Sequence, residues 1–203
     1  SLVHGTPFTP TTPSRFASIT KHLLCAFALH RGIDLAAPLG ALVPGLPEAI
    51  GAVPVVRALS MTSGIPDLLQ SYMLCGVPAS AAVDAAALDA FTAALPGLDF
   101  APGSEMSYSN TGYRLVEHAL ARQGDAFAAW VEGPLNAALG TGFRFPTAWD
   151  RPLAGLADGY WREGPDAPWR VGSYGMALSG SGALAGSAED LATWLRALLR
   201  GDG

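Results

Sequence analysis

The sequence predicts an α+β protein that is mostly helical and has a few short strands. Of its 203 residues, 50% are hydrophobic and only 14% are charged, so the chain can bury a sizeable core. Apolar residues recur at helical spacing in several stretches, whereas residues 140–180 are rich in Gly, Pro, Trp and Tyr and lack that spacing. No repeat or sharp boundary divides the chain, and we predict one domain over residues 1–203.

The first helix is expected at about 18–31. Residues 1–17 carry three prolines among threonines, which favours extended or turn structure before this helix. Gly32 stands where a glycine commonly ends a helix. The apolar residues at helical spacing are Leu23, Leu24, Phe27, Ala28 and Leu29.

The central part of the chain is expected to alternate loops with helices. Residues 34–54 are rich in proline and glycine and predict a loop, and a short helix is expected around 54–60. Ser80 can N-cap an alanine-rich helix that runs to Leu95. After it, PGLDFAPGSEMSYSN is a turn-rich link in which EMSYS is short and extended.

Three further stretches complete the prediction of secondary structure. A helix is expected from about Thr111 to Gln123, where Gly124 stops it, and another helical stretch covers 125–139. The last helix is expected at about 187–200, with its apolar residues at 191, 194, 195 and 198. Its end signals are a capping box of Ser187 and Asp190 and a closing glycine, Gly201.

Composition excludes several classes of function. The net charge is −5 and the basic residues are scattered, which argues against a nucleic-acid partner. The longest uncharged run, 171–188, is rich in Gly and Ser, so no membrane span is predicted. Cys25 and Cys75 are isolated, their pairing is left open, and no spacing of Cys and His predicts a metal. No signal peptide is visible, and the cellular compartment is left open.

Lys21 is the only lysine, and the other eleven basic side chains are arginines. It follows Ser18 by three residues, so both side chains share one helix face, one turn apart. A serine hydroxyl needs a base to become a good nucleophile. A lysine amine can be that base when burial lowers its pKa, whereas an arginine does not lose its proton in proteins. The pair therefore predicts a serine nucleophile with a lysine base.

The segment YSN, residues 108–110, offers a second pair of polar groups. In an extended chain Tyr108 and Asn110 point to the same side, so Tyr108 could relay a proton and Asn110 could hold a substrate amide. The alternative is that Asn110 only N-caps the following helix and Tyr108 belongs to the core.

Four segments resemble, in order, those of the serine β-lactamase-like superfamily. FASITKHLLCAFAL resembles its nucleophile helix, and VVRALSMTSGIPDLL is similar to its LLTHTSGLPD segment. PGSEMSYSNTGYRLVEHAL resembles PGxxFxYSNxGYxLLGxII, and SGSGALAGSAEDLATWLRALL resembles AGGLxSTAEDLAxFxxALL. The resemblance covers residues 6 to 200 nearly throughout, and within the superfamily the first two segments are most similar to D-aminopeptidases.

The resemblance implies a β-lactamase/transpeptidase-like fold and an acyl-enzyme mechanism without a metal or cofactor. Ser18 would be the acylated nucleophile and Lys21 its general base. Tyr108 would assist proton transfer, and Asn110 would orient the substrate. The expected substrates are D-amino-acid peptides, as in D-aminopeptidases and DD-carboxypeptidases, or β-lactams.

One motif of the superfamily has no counterpart in these 203 residues. A Lys-Thr-Gly or His-x-Gly triad should follow AEDLA, and no histidine here has a glycine at that offset in that region. We therefore expect a truncated domain that lacks much of the central antiparallel sheet. A second chain or a missing segment would then complete the sheet.

Two alternatives remain open at this stage. A small-ester esterase of the same fold would use the same nucleophile. A non-catalytic binding or assembly module would keep the cleft but not the third motif. Ser63 in TSGIP competes as a nucleophile but has no evident base, and His118 is expected to be solvated or paired rather than catalytic.

Overall fold

The computed structural model describes residues 5, 7–78, 81–146, 152–172, 175 and 178–201. Within these ranges no helix combines the length and the apolar character that a bilayer crossing needs. The α-helices are α1 (Thr20–His30), α2 (Leu39–Leu42), α3 (Glu48–Gly51), α4 (Val55–Leu59), α5 (Leu68–Leu74), α6 (Ala85–Ala93), α7 (Asn110–Arg122), α8 (Phe127–Trp130), α9 (Asn136–Leu139) and α10 (Ala188–Arg200). The strands are β1 (Ser14–Arg15), β2 (Gly159–Trp161), β3 (Arg170–Gly172) and β4 (Ala185–Gly186).

Helices α1 and α7 lie at the centre of the hydrophobic core. Helix α4 packs so closely on α7 that a Cβ atom on Gly112 would lie 3.3 Å from Ala58. The buried residues that the two central helices contribute are Leu23, Leu24, Phe27, Ala28, Leu115, Val116, Ala119 and Leu120. Because α1 and α7 are anchored by the same core, their N-terminal ends are held side by side.

Strand pairing brings the C-terminal part of the chain to the start of α1. Strand β1 runs antiparallel to β4, with Ser14 opposite Gly186, and the Phe16 N–H donates to the Leu184 carbonyl at 2.9 Å. A 3₁₀ turn, Ser179–Ser181, precedes β4 and packs against both α1 and α7. A second antiparallel pair joins β2 to β3. The fold is therefore helix-rich with few short strands, as predicted.

The three main helices of the prediction are confirmed with small shifts of their ends. A 3₁₀ turn, Ala17–Ile19, leads into α1. The Ile33 N–H then donates to the Ala28 carbonyl and the Gly32 N–H to the Leu29 carbonyl, which is the Schellman ending that glycine favours. Helix α7 begins one residue before the predicted start. Helix α10 has both halves of the predicted capping box and ends at Gly201 with φ +71°.

The predicted loop at 34–54 is wrong in part, because α2 and α3 lie within it. Each helix begins directly after a proline, Pro38 or Pro47. The extended ψ of this proline, about 140°, sets the direction from which the chain enters the helix. Helix α5 was not predicted. Residues 106–109 belong to no strand, although Ser109 has extended angles.

The alanine-rich helix begins later than predicted. Ser80 lies outside the described residues, and Asp84 caps α6 by accepting from the Ala87 N–H at 2.8 Å. The predicted helical stretch 125–139 is divided into α8, a π-helical turn (Val131–Leu135) and α9. Pro134 lies in that turn, and its missing N–H accounts for the interruption. That the whole chain is one domain stays a prediction.

Gly64 is expected to be the glycine near the site at which an added side chain lowers the stability most. Its φ is +73°, and a Cβ atom there would lie 2.1 Å from the Phe100 carbonyl oxygen. Gly64→Ala should lower the free energy of unfolding by about 3 kcal/mol, because it adds a backbone clash to the cost of a left-handed conformation. Urea denaturation measures the loss.

Gly32→Ala is the matched control for this prediction. Its φ is +67°, but nothing lies within 4 Å of the added Cβ atom. The expected loss is about 1 kcal/mol, from the left-handed conformation alone. Equal losses in the two variants would contradict the assignment of a clash at Gly64.

Candidate active site

Ser18 and Lys21 lie together at the start of α1, as predicted. Lys21 Nζ is 3.3 Å from Ser18 Oγ. Ser18 is exposed, whereas only 5% of Lys21 is accessible. The residue before the serine, Ala17, has φ +47°, a strained value for a residue with a Cβ atom. The hydroxyl is thus presented to solvent on a turn while the amine approaches it from inside.

Two oxygen atoms hold the Lys21 amine from the protein side. The distance from Nζ to Asn110 Oδ1 is 2.7 Å, and the distance to the Ser181 carbonyl oxygen is 2.5 Å. A neutral amine has two N–H donors and one lone pair. When the two N–H groups point to these oxygen atoms, the lone pair remains for the third neighbour, Ser18 Oγ.

Burial lowers the pKa of Lys21 from 10.5 to about 8, and the nearby Asp67 carboxylate opposes this shift. The aromatic rings of Tyr108 and Tyr113 also lie close to Nζ, at 4.8 and 5.5 Å from their centroids. A pKa near 8 leaves an appreciable fraction of neutral amine at neutral pH. The amine can therefore act as a proton acceptor.

Tyr108 contacts the serine directly. Its phenol donates to Ser18 Oγ at 2.5 Å, and its side chain is 49% exposed. The segment that carries it is held by the Ser107 N–H, which donates to the Met61 carbonyl at 3.0 Å. Since the phenol donates to Oγ, the serine hydroxyl proton is free to point to the Lys21 lone pair.

Asn110 does not N-cap α7, because Ser109 occupies that position and accepts from the Gly112 N–H. The alternative interpretation of YSN as a cap and a core tyrosine is therefore wrong. The Asn110 amide is 3% exposed; its oxygen accepts from Lys21, and its Nδ2 donates to Asp67 Oδ1 at 2.8 Å. That Asn110 orients a substrate stays a prediction.

Two groups around the Lys21 amine were not predicted from the sequence, namely Asp67 and the Ser181 carbonyl. Asp67 accepts from both the backbone N–H and the side chain of Asn110, and it caps α5 through the Gln70 N–H. An aspartate just before an apolar run is an N-cap signal that could have located it. The Ser181 carbonyl has no sequence signal, because every residue carries a carbonyl.

A cleft of about 390 Å³ opens beside the tyrosine and the asparagine. Its wall is mainly apolar and is formed largely by α5, and the lining residues are Asp67, Leu69, Gln70, Met73, Leu74, Tyr108 and Asn110. Tyr108, which lines the cleft, connects it to Ser18 through the hydrogen bond to Oγ.

The other residues considered from sequence lie in ordinary structural settings. Ser63 is buried, and its hydroxyl accepts from the Ile65 N–H at 3.1 Å. His118, in the C-terminal half of α7, lies 3.6 Å from Asp89 of α6. Cys25 and Cys75 are not joined. Among the described residues, no group of three or more His, Cys, Asp or Glu side chains could hold a metal.

Known proteins resemble this chain over most of its length. The family described as Beta-lactamase matches residues 1–203. A D-aminopeptidase from Gluconobacter oxydans (strain 621H) is 28% identical over 195 residues, which are 94% of this chain and 36% of that protein.

Solved structures share the fold. The octameric penicillin-binding protein homologue from Pyrococcus abyssi superposes with a TM-score of 0.81 at 22% identity, covering 100% of this chain and 48% of that one. A D-amino acid amidase from Ochrobactrum anthropi SV3, complexed with L-phenylalanine amide, has a TM-score of 0.77 and 25% identity over 98% and 59% of the two chains. The chain thus spans between about a third and three fifths of these relatives.

The Lys21 amine is expected to titrate near pH 8 because of its burial. Labelling with ¹³C-lysine yields one side-chain signal, since Lys21 is the only lysine, and its chemical shift against pH measures the pKa by NMR. Ser18→Ala is the control, because it removes the longest of the three contacts and leaves the burial intact. A midpoint of 10 or above in the unsubstituted protein would contradict the buried position.

Proposed function

Because this chain belongs to the beta-lactamase family, we propose that it is a serine hydrolase that cleaves amide bonds through an acyl-enzyme on Ser18. The observation that carries the proposal is the contact of one exposed hydroxyl with both a buried amine and a phenol. Lys21 Nζ lies 3.3 Å from Ser18 Oγ, and the Tyr108 phenol lies 2.5 Å from the same atom. Both contacts are hydrogen bonds along which a proton can pass, and the longer one, from Lys21, is expected to tighten when a substrate binds.

Acylation begins when Ser18 Oγ attacks the carbonyl carbon of the amide. The hydroxyl proton passes to the Lys21 lone pair as the new C–O bond forms. The C–N bond then breaks. Lys21 passes its proton to Tyr108, and Tyr108 passes it on to the leaving amine. Water cleaves the resulting ester, which releases the acid and restores the serine. Asn110 offers its free amide N–H to the substrate.

D-amino-acid amides are the substrate class that the proposal favours. The D-aminopeptidase and the D-amino acid amidase among the relatives support this choice. The cleft beside Tyr108 supports it too, because its apolar α5 wall can receive an apolar substrate side chain. Burying such a side chain contributes about 1.5–3 kcal/mol of binding.

Ser18→Ala should abolish covalent labelling by a fluorescent penicillin or a fluorophosphonate, because Ser18 Oγ is the nucleophile of the proposed mechanism and is hydrogen-bonded to Lys21 Nζ. Lys21→Arg should slow labelling by about a hundredfold or more, since it keeps the charge but removes the base. Gel fluorescence and mass spectrometry of the peptide with Ser18 measure both effects.

Ser63→Ala is the control, because Ser63 is the rival nucleophile of the sequence analysis and should leave labelling unchanged. Labelling that survives in Ser18→Ala would refute the role of Ser18. Absence of any adduct on the unsubstituted protein, together with measurable binding of the ligand, would favour the non-catalytic module instead.

Met73→Ser should lower kcat/KM for D-leucine amide about tenfold relative to D-alanine amide, because it removes apolar contact area from the cleft. Cys75→Ser is the matched control, since Cys75 follows α5 but does not line the cleft. An equal loss for both amides would show that the substrate side chain binds elsewhere.

A further inference from the structure

The turn Ser179–Ser181 is held in a strained shape beside the amine. Ser179 has φ +37°, which is unfavourable for a residue with a Cβ atom and persists only where surrounding contacts hold it. A Cβ atom on Gly180 would lie 3.0 Å from both a Glu117 oxygen and a Leu24 methyl group. The turn is thus wedged between α7 and α1.

Glu117, on α7, accepts two hydrogen bonds from this turn. Its Oε1 accepts from the Ser179 hydroxyl at 2.5 Å, and its Oε2 accepts from the Gly180 N–H at 2.8 Å. The glutamate is half-buried. A carboxylate that accepts two hydrogen bonds in this setting binds more strongly than a neutral acceptor would.

We propose that Glu117 is a positioning residue that holds the Ser181 carbonyl against Lys21 and so orients the lysine lone pair toward Ser18. The inference rests on the proposed function. Glu117 clamps Ser179 and Gly180, and the next residue supplies the carbonyl that accepts from Nζ at 2.5 Å. With that carbonyl and Asn110 taking two N–H groups, only the direction of Ser18 is left for the lone pair.

Other titratable groups face Lys21 and must be separated from this effect. Asp67 at the start of α5 and Tyr113 on α7 lie around the amine, and Tyr108 approaches from the extended segment. Cys25, on α1 itself, forms a hydrogen bond of 3.4 Å between its Sγ atom and the Tyr113 hydroxyl. Glu117 bonds to the turn, so its effect on the amine passes through the Ser181 carbonyl.

Glu117→Asp and Ser179→Ala test the proposal. Glu117→Asp keeps the charge but withdraws the carboxylate by one methylene, and Ser179→Ala keeps the glutamate but removes one of its two bonds. In both, the carbonyl should drift from Nζ, and an ammonium that loses an acceptor has a lower pKa. We expect the Lys21 midpoint, followed by NMR of the single labelled lysine, to fall by about one unit in Glu117→Asp and by less in Ser179→Ala.

Glu117→Gln and Glu48→Gln complete the set. Each removes one negative charge, and Glu48 is exposed on α3. A midpoint that falls in Glu117→Gln but stays unchanged in Glu117→Asp and Ser179→Ala would mean that charge alone acts, and would overturn the proposal. Thermal unfolding is measured for every variant. A lower Tm with an unchanged midpoint would show a structural role only and would also overturn it.

The labelling reaction supplies a second readout. If the clamp orients the lone pair, the maximal rate of acylation by a fluorescent penicillin should fall about tenfold in Glu117→Asp, while the label stays on Ser18. An unchanged rate–pH profile would overturn the proposal. If the unsubstituted protein is not labelled at all, the proposed function fails, whereas the NMR midpoints still decide whether Glu117 positions the amine.

Discussion

The buried amine of Lys21 is the constraint around which the site is organised, because an amine removed from water needs partners for each of its hydrogen atoms. Its neighbours meet that need with one amide oxygen from α7 and one carbonyl oxygen from the turn before β4. A carboxylate, Asp67, lies behind the amide and offsets part of the cost of a buried charge. The remaining contact, to Ser18, faces the solvent side. In the proposed reaction, the burial that demands these partners is also what makes the amine a base.

The fold serves this constraint by bringing together parts of the chain that are distant in sequence. Asn110 lies 89 residues from Lys21, and Ser181 lies 160 residues from it. The pairing of β1 with β4 consists of only two residue pairs, and it brings the part of the chain that contains Ser181 to the start of α1. The packing of α1 on α7 brings Asn110 to Lys21. Short strands are sufficient because the hydrophobic core that α1 and α7 share already fixes the relative position of these two helices.

Asp67 links the site to the apolar cleft. One carboxylate oxygen binds Asn110 and the other caps α5, the helix that forms most of the cleft wall. The orientation of the wall and the orientation of the amide are thus set by one side chain. In the proposed reaction this connection would align the bound part of a substrate with the hydroxyl that attacks it.

The sequence by itself determined the main helices and the Ser18–Lys21 pair, because these depend on residues close along the chain. Apolar spacing and end signals located α1 and α10, Gly124 marked the end of α7, and a separation of three residues placed the serine and the lysine on one face. The convergence of Tyr108 and Asn110 on that pair was predicted from their alternation and from the family resemblance. Only the tertiary structure decided that Lys21 is buried, that Asp67 stands behind Asn110, and that the Ser181 carbonyl and Glu117 complete the surroundings. A backbone carbonyl has no identity in sequence, and contacts between residues 43 to 160 positions apart depend on the packing of the whole core rather than on any local pattern.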